Sequence, residues 1–571
     1  MILPRVIAGA EITAHFSVPV HQPHSSAPSL TLRLLSRSWP WLAAILSGVL
    51  LGLCFAPWNK SHLCWFSLTP LICALWFSKT SVRRRFCLGW VTGITFFSMT
   101  FYWLGALADL YAFPILRGTP FLLAFYLGLY PAAWASLLGS GSHRAAFVRS
   151  GVNLATAAGG AALWCTLEWI RGWLFSGFGW NGLGVALHRD LALIQIAEVT
   201  GVLGLSFLVA FCNLLAVLVV RRLVAESGPG FMAKIRWEFS LGMTLLAAVF
   251  GFGVSRILGQ PENKVLSGTP SLQPISLRVA ALQPNIPQSE KFSPDAESKT
   301  LNTLARLTGL GAASRPDLLL WPESATPRGI FSDPATLQFV QEQASHSGCS
   351  LLFGTVEDDI ASERSFNSAA LFTQRGTRIQ LYRKVHLVPF GEYLPLRNTV
   401  PLLDRLVGGL VPGDFAAGSE FKVLQLENPP LNISTLICFE DSVGYVARRQ
   451  VLNGSQLLMN LTNDGWFARS AAAEQHLANA IFRAVENRRP LIRCTNTGMT
   501  CSVSPMGRVD SWIVPFSQGL AVREVSSLKA PSLTVYSRWG DWWAWTCAVG
   551  SLVSLPFLHR RNERPAPLLT P

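Results

Sequence analysis

Ile433-Ser-Thr-Leu-Ile-Cys438-Phe439-Glu440-Asp441 is a β-branched and aliphatic run that ends in a thiol and two acids. A short apolar run closed by polar residues reads as a buried strand, which puts Cys438 at a strand end. Two other runs finish in a similar way. Leu318-Leu-Leu-Trp321-Pro322-Glu323 leads an apolar strand into proline and a carboxylate. Tyr382-Arg-Lys384-Val-His386-Leu-Val-Pro389-Phe390-Gly391-Glu392-Tyr393 brings a lysine and a second carboxylate. Around them, residues 277–286, 317–321, 351–356, 368–372, 433–438, 456–460 and 491–495 read as strands. Helical patterns fall near 294–308, 335–345, 442–452 and 471–487. Alternating strands and helices predict an α/β domain with a covered sheet.

Taken singly, the three residues are bland. A cysteine ending a strand is most often a small buried hydrophobe, and a lone glutamate or lysine is most often solvated. Together they make a complete chemical set. A thiol with a pKa near about 8.5 is mostly protonated at neutral pH and needs a base, which Glu323 can provide. The tetrahedral intermediate of acyl transfer carries an oxyanion, which a fixed cation such as Lys384 stabilises. Glu323, Lys384 and Cys438 therefore suffice for acyl transfer through a thioester.

The rest of the chain is of another kind. Half of the 571 residues are hydrophobic and only 14% are charged, too few polar groups to cover a soluble protein of this size. Long apolar runs predict about eight membrane spans, at 39–58, 62–78, 87–108, 119–140, 152–170, 201–220, 238–257 and 541–558. The net charge of +14 is concentrated around these runs rather than in a nucleic-acid motif. Arg33 and Arg37, Lys79 and Arg83–Arg85, Arg144 and Arg149, Arg221 and Arg222, and Arg560 and Arg561 all fall on one side if the spans alternate. The positive-inside rule puts that side, and both termini, in the cytoplasm. The expected organisation is a cytoplasmic tail at 1–37, a seven-span domain at 38–257, an outward-facing domain at 258–540, a last span at 541–558 and a tail at 559–571. Glu168 and Arg171, three apart at the end of the fifth run, share a helix face. They read either as an interfacial ion pair or as a polar spot for a lipid headgroup or domain docking. None of the 11 cysteines forms a CxxC pair, so no metal or cofactor is expected.

Trp321-Pro-Glu323, Tyr382-Arg-Lys384 and Cys438-Phe-Glu440 resemble the motifs of the nitrilase superfamily. Gln283-Pro-Asn-Ile-Pro-Gln288, Leu387-Val-Pro-Phe-Gly-Glu-Tyr-Leu-Pro395, Leu461-Thr-Asn-Asp-Gly-Trp-Phe467, Glu474-Gln-His476, Arg488-Arg-Pro-Leu-Ile-Arg493 and Glu168-Trp-Ile-Arg171 narrow the resemblance to the apolipoprotein N-acyltransferase family, over about residues 40–558. That resemblance implies a nitrilase-like αββα sandwich beside the multi-pass helical domain. It implies Cys438 as nucleophile, Glu323 as base and Lys384 as oxyanion stabiliser, with Glu392, Glu440, Asn367 and Phe439 in support. It also implies a phospholipid acyl donor, typically phosphatidylethanolamine, a diacylated apolipoprotein acceptor, and a place in the bacterial inner membrane with the catalytic domain in the periplasm. A monomer is expected. The apolar stretch 394–410, with Leu394, Leu402 and Leu403, is expected to be a membrane-facing arm. Phe292 and Phe439 stand where better-known members carry Trp and Tyr, which keeps the ring and drops a polar handle. A membrane-tethered amidase acting on small C–N bonds is the alternative.

Overall fold

The structure, a computed structural model, describes the chain except residues 1–29, 79, 140–149, 226–230, 260–273, 292, 360–361, 374–377, 398, 400–403, 406–412 and 560–571. Phe292, Leu402 and Leu403 thus lie outside the described residues. The chain forms two compact units, Met1–Trp39 and Pro40–Pro571. Residues 30–39 of the first are helical. The second holds the helical region and the α/β domain together.

Twelve described strands make up the α/β domain. They are β1 (Pro274–Gln283), β2 (Leu318–Leu320), β3 (Ser350–Asp359), β4 (Arg364–Phe372), β5 (Ile379–Arg383), β6 (Leu424–Leu426), β7 (Leu431–Ile437), β8 (Leu457–Thr462), β9 (Leu491–Thr495), β10 (Thr500–Val503), β11 (Val509–Ile513) and β12 (Gly519–Leu528). One sheet runs β12-β1-β2-β3-β4-β5 and the other β11-β10-β9-β8-β7-β6. Successive side chains of a strand point to opposite faces, and the packing follows that alternation. Leu277, Val279, Leu318, Leu320 and Leu371 of the first sheet meet Ile433, Ile437, Met459, Leu461 and Ile492 of the second in one buried core. The alternate residues Ala280, Leu282, Leu319, Leu351 and Phe353 face outward onto Leu304, Leu307, Val340 and Ala344. These come from the helices Glu297–Ala312 and Pro334–Ser347. Gly444–Leu452 packs on β7 and Ala472–Asn487 on β9. The layers are therefore helix, sheet, sheet, helix.

All seven expected strands and four expected helices of this domain are present, with ends shifted by a few residues. The five strands not expected include all four sheet edges, β12, β5, β11 and β6. Edge strands carry exposed charges, as Arg523 and Glu524 are in β12, and so lack a continuous apolar run.

Each of the eight apolar runs falls on helical segments, but several are broken. The second divides into Ser61–Trp65 and Thr69–Phe77, and the third bends by 57° after Thr100. Among the described residues three helices are long and apolar enough to cross a membrane: Pro114–Leu137, Val202–Leu223 and Trp237–Leu258. The bent pair makes a fourth if it counts as one span. Ser150–Arg171 packs through small residues, and a Cβ on Gly160 would lie 2.7 Å from Leu214. In the helical region Arg222 donates to Glu238 at 2.6 Å, and Asn153 donates to the same carboxylate oxygen at 2.8 Å. Arg222, Glu238 and Asn153 are all buried, so the cluster joins three helices through paired polar groups.

Candidate active site

Glu323 follows β2, Lys384 follows β5 and Cys438 follows β7, so two residues come from one sheet and the nucleophile candidate from the other. Close approach of backbones places Glu323. Ala325 N–H donates to the Gly354 carbonyl at 2.8 Å, and a Cβ on Gly354 would come within 2.6 Å of the Glu323 Cα. Only glycine leaves room there. Lys384 N–H donates to the Asn367 carbonyl at 2.8 Å, prolonging the β4–β5 ladder to the lysine.

Asn367 ties the charges together. Its Nδ2 donates to Glu323 Oε1 at 2.9 Å and to Glu392 Oε1 at 2.7 Å. Lys384 Nζ lies 3.0 and 2.9 Å from the two Glu392 oxygens. Val388 N–H donates to Glu392 Oε2 at 2.8 Å. Glu323 Oε2 is buried and has no hydrogen-bond partner among the described residues, which leaves it as an acceptor for an incoming proton. Burial alone would lower the Lys384 pKa, but Glu392, Cys438 and Glu323 outweigh it and hold the ammonium above the usual lysine range.

Cys438 sits half-buried at the end of β7 with a φ of 50°, a left-handed conformation that a side chain rarely adopts. Burial pushes its thiol pKa up and Glu323 pushes it further, against the opposing Lys384 charge and a hydrogen bond to Thr462. The resting thiol is therefore protonated and needs a base. The strained turn is held from behind. Asn460 Nδ2 donates to the Cys438 carbonyl at 3.3 Å, and His476 Nε2 lies 3.2 Å from the same oxygen. His476 also contacts Asp441 and Asp464, each at 2.8 Å, and Arg493 pairs with both acids. Asp464 is a buried counter-ion.

Glu440 is a strut between the two sheets. It accepts from Tyr382 Oη at 2.8 Å, Val385 N–H at 2.8 Å, His386 N–H at 3.1 Å and Ile437 N–H at 2.8 Å. It thereby fixes the segment of Lys384 against the strand of Cys438. Burial raises its pKa to about 7 against those donors.

The helical region completes the wall. Phe178 and Trp180, on a loop after Ser150–Arg171, stack on Phe439 at 25° and 20° between planes. His386 stacks on the same ring at 25°. Glu168 and Arg171 hold this loop. Glu168 accepts from Leu183 N–H at 2.8 Å, Ser206 Oγ at 2.5 Å and Trp164 Nε1 at 3.1 Å. Buried Arg171 donates to the Trp180 carbonyl at 3.0 Å. Leu394 is buried, with its N–H donating to Asp414 at 3.0 Å; the exposed apolar residues beside it are Phe390 and Leu396.

Phe178, Trp180 and the buried Lys291 were not singled out in the sequence. The one signal for the first two is Gly177-Phe-Gly-Trp-Asn-Gly182, a glycine-rich aromatic stretch between apolar runs. Among the described residues no group of three or more acidic, histidine or cysteine side chains could hold a metal ion.

A two-sheet domain with a cysteine, a glutamate and a lysine at its strand ends is thus joined to a helical region. Residues 278–529 match the carbon-nitrogen hydrolase family and residues 47–215 the apolipoprotein N-acyltransferase N-terminal domain. An apolipoprotein N-acyltransferase of Geobacter metallireducens is 35% identical over 92% of this chain and 96% of its own length. One from Methylococcus capsulatus is 32% identical over 91% and 96%. The chain belongs to the apolipoprotein N-acyltransferase family. Among solved structures, an amidase from Nesterenkonia sp. is 19% identical with a TM-score of 0.34, covering 44% of this chain and 90% of that one. Saccharomyces cerevisiae Nit3 is 17% identical with a TM-score of 0.35, covering 45% and 92%.

Proposed function

We propose that the protein transfers a fatty acyl chain from a phospholipid, phosphatidylethanolamine being the expected donor, to the N-terminal amine of the diacylglyceryl-cysteine of an apolipoprotein. The observation that carries this is the convergence of Glu323, Lys384 and a protonated Cys438 thiol beneath aromatic rings supplied by the helical region. A small soluble amide needs no such joint with apolar helices.

Glu323 takes the thiol proton as Cys438 Sγ attacks the ester carbonyl. The oxyanion is met by Lys384, whose ammonium Glu392 keeps in place. Collapse forms the thioester and breaks the ester C–O bond, and the Glu323 proton goes to the departing lysophospholipid oxygen. The acceptor amine then attacks the thioester, gives a proton to Glu323 and releases the Cys438 sulfur, which recovers that proton. Asn367 and Glu392 position the two charged groups, and Glu440 holds the two sheets in register.

The reading extends to the membrane. The eight apolar runs act as eight spans of the bacterial inner membrane, seven within 38–257 and one at 541–558, with 258–540 in the periplasm and tails 1–37 and 559–571 in the cytoplasm. The segment 394–410 contacts lipid, and the enzyme works as a monomer.

The decisive experiment is mass spectrometry of purified protein incubated with phosphatidylethanolamine alone. A fatty-acyl adduct on the Cys438 peptide, removed by neutral hydroxylamine and missing from Cys438→Ser, is expected. Well-folded protein in mixed micelles that gains no adduct but releases ammonia from small amides would return the domain to hydrolysis of C–N bonds.

A further inference from the structure

Of the described lysines two are buried, and both lie at this site: Lys384 and Lys291, the latter 3% exposed. Burying an ammonium costs several kcal/mol unless it is paired, so a second one beside a reacting carboxylate calls for a reason. The loop before it is firmly held. Asn285 N–H donates to the Asn496 carbonyl at 2.9 Å, Ile286 N–H to Asn496 Oδ1 at 3.0 Å, and Asn463 Nδ2 to Gln288 Oε1 at 2.6 Å. Lys291 N–H closes the turn on the Pro287 carbonyl at 3.1 Å. The side chain then reaches the backbone of the base, where Nζ donates to the Glu323 carbonyl at 2.9 Å.

The charges around Cys438 explain the choice of residue. Glu323 and Glu392 are two anions, and Lys384 is one cation already engaged with Glu392. Glu323, Glu392 and Lys384 alone sum to one negative charge, next to a sulfur that must become an anion, while Asp464, which also acts on Cys438, is paired with Arg493 and Glu440 is held by four donors. With Lys291 those four groups, Glu323, Glu392, Lys384 and Lys291, sum to zero. It stays zero when the proton moves from Cys438 to Glu323, because the thiolate replaces the carboxylate.

We propose that Lys291 is a positioning residue for acyl-enzyme formation, which holds the Glu323 backbone and supplies the counter-charge that Lys384 cannot give to both carboxylates. The proposal rests on the acyl-transfer reading above. Among the described groups, Glu323 after β2 and Cys438 after β7 act on Lys291, and Lys384 and Glu392 complete the charges of the site. Burial lowers its pKa to about 8, against the raising pull of Glu323 and Cys438. Its charge is therefore complete at neutral pH and lost as pH rises through that value.

The test measures the rate of thioester formation with phosphatidylethanolamine in mixed detergent micelles, over roughly pH 4 to 10, a window that spans carboxylate, thiol and ammonium titration. Wild type, Lys291→Met and Lys291→Arg full-length proteins are compared. Lys291→Met is expected to lose about tenfold to hundredfold in rate, as for loss of one fixed electrostatic partner. Its acid limb should move up by about one pH unit or more, as for loss of a nearby opposite charge. Lys291→Arg should keep most of the rate and lose the alkaline limb near pH 8. A purely structural lysine would change the amount of folded protein and leave both limbs in place, which would overturn the proposal. If Lys291→Met does not fold, the alkaline limb decides: a limb unmoved in Lys291→Arg overturns it. Absence of any thioester in wild type, by contrast, counts against the acyl-transfer reading itself.

Discussion

At the scale of single residues, the ions behind Cys438 govern stability as well as geometry. Burial would raise the Asp464 pKa, but Arg493 and His476 prevail and hold it well below the usual carboxylate range. A carboxylate depressed on folding adds stability that is present above its unfolded pKa of about 3.9 and lost as pH falls through the folded value. Asp464→Asn should therefore cost roughly 3 kcal/mol at neutral pH, because it leaves buried Arg493 short of a partner. The gap from wild type should narrow below about pH 4, where the wild-type contribution titrates away. Denaturant unfolding at both pH values checks this, and an equal gap at both would remove Asp464 as a charged contributor. Glu323 and Cys438 stand out in the chain because each closes an apolar run, whereas Lys384 follows β5, an edge strand with no such run. Nor does Lys291 stand out: Ser289-Glu290-Lys291 has the composition of a solvated turn, and its burial is decided by Asn463 and Asn496, far away in sequence.

At the scale of elements, Ala472–Asn487 is the joint. A helix facing water on one side shows an apolar stripe, yet here the polar side is buried too. Gln475 explains how. It donates to the carbonyls of Ala56 at 2.7 Å and Thr100 at 3.0 Å, and accepts from Trp103 Nε1 at 3.2 Å and Asn181 Nδ2 at 3.1 Å. One side chain thus binds four positions in the helical region. Gln475→Ala should lower stability by about 2–4 kcal/mol, since it strands several buried polar groups. It should also speed proteolysis between the two regions, measured in detergent against wild type. Unchanged cleavage and melting would mean that the aromatic contacts alone hold the joint. The helix itself was legible at 471–487, but its second buried face was not. Gln475 looks solvated until the partner that satisfies it is in place. The edge strands escaped notice for a related reason, since half of each faces water.

At the scale of the whole molecule, charge sets orientation. The basic clusters flank alternate ends of the apolar runs, and moving them across a membrane is unfavourable. A cysteine at exposed Glu342 in a Cys438→Ser background should react with an impermeant maleimide in cells with a permeable outer membrane. A cysteine at exposed Arg83 should stay unlabelled until the inner membrane is breached. Labelling of both, or the reverse pattern, would overturn the assignment. Span number is hard to read from the chain, because hydropathy does not reveal where a run bends, as after Thr100, or divides, as between Trp65 and Thr69.

The register of β1 with β12 pairs Pro274 with Leu528, the first residue of the α/β domain's first strand with the last of its final one. The domain therefore begins and ends at one corner. A unit whose two leads emerge side by side can be spliced between two helices without opening its own sheets or spreading theirs. It adds little closure entropy, however many residues lie between. New ends cut elsewhere in the domain, with the old ones joined at that corner, should leave the sandwich intact.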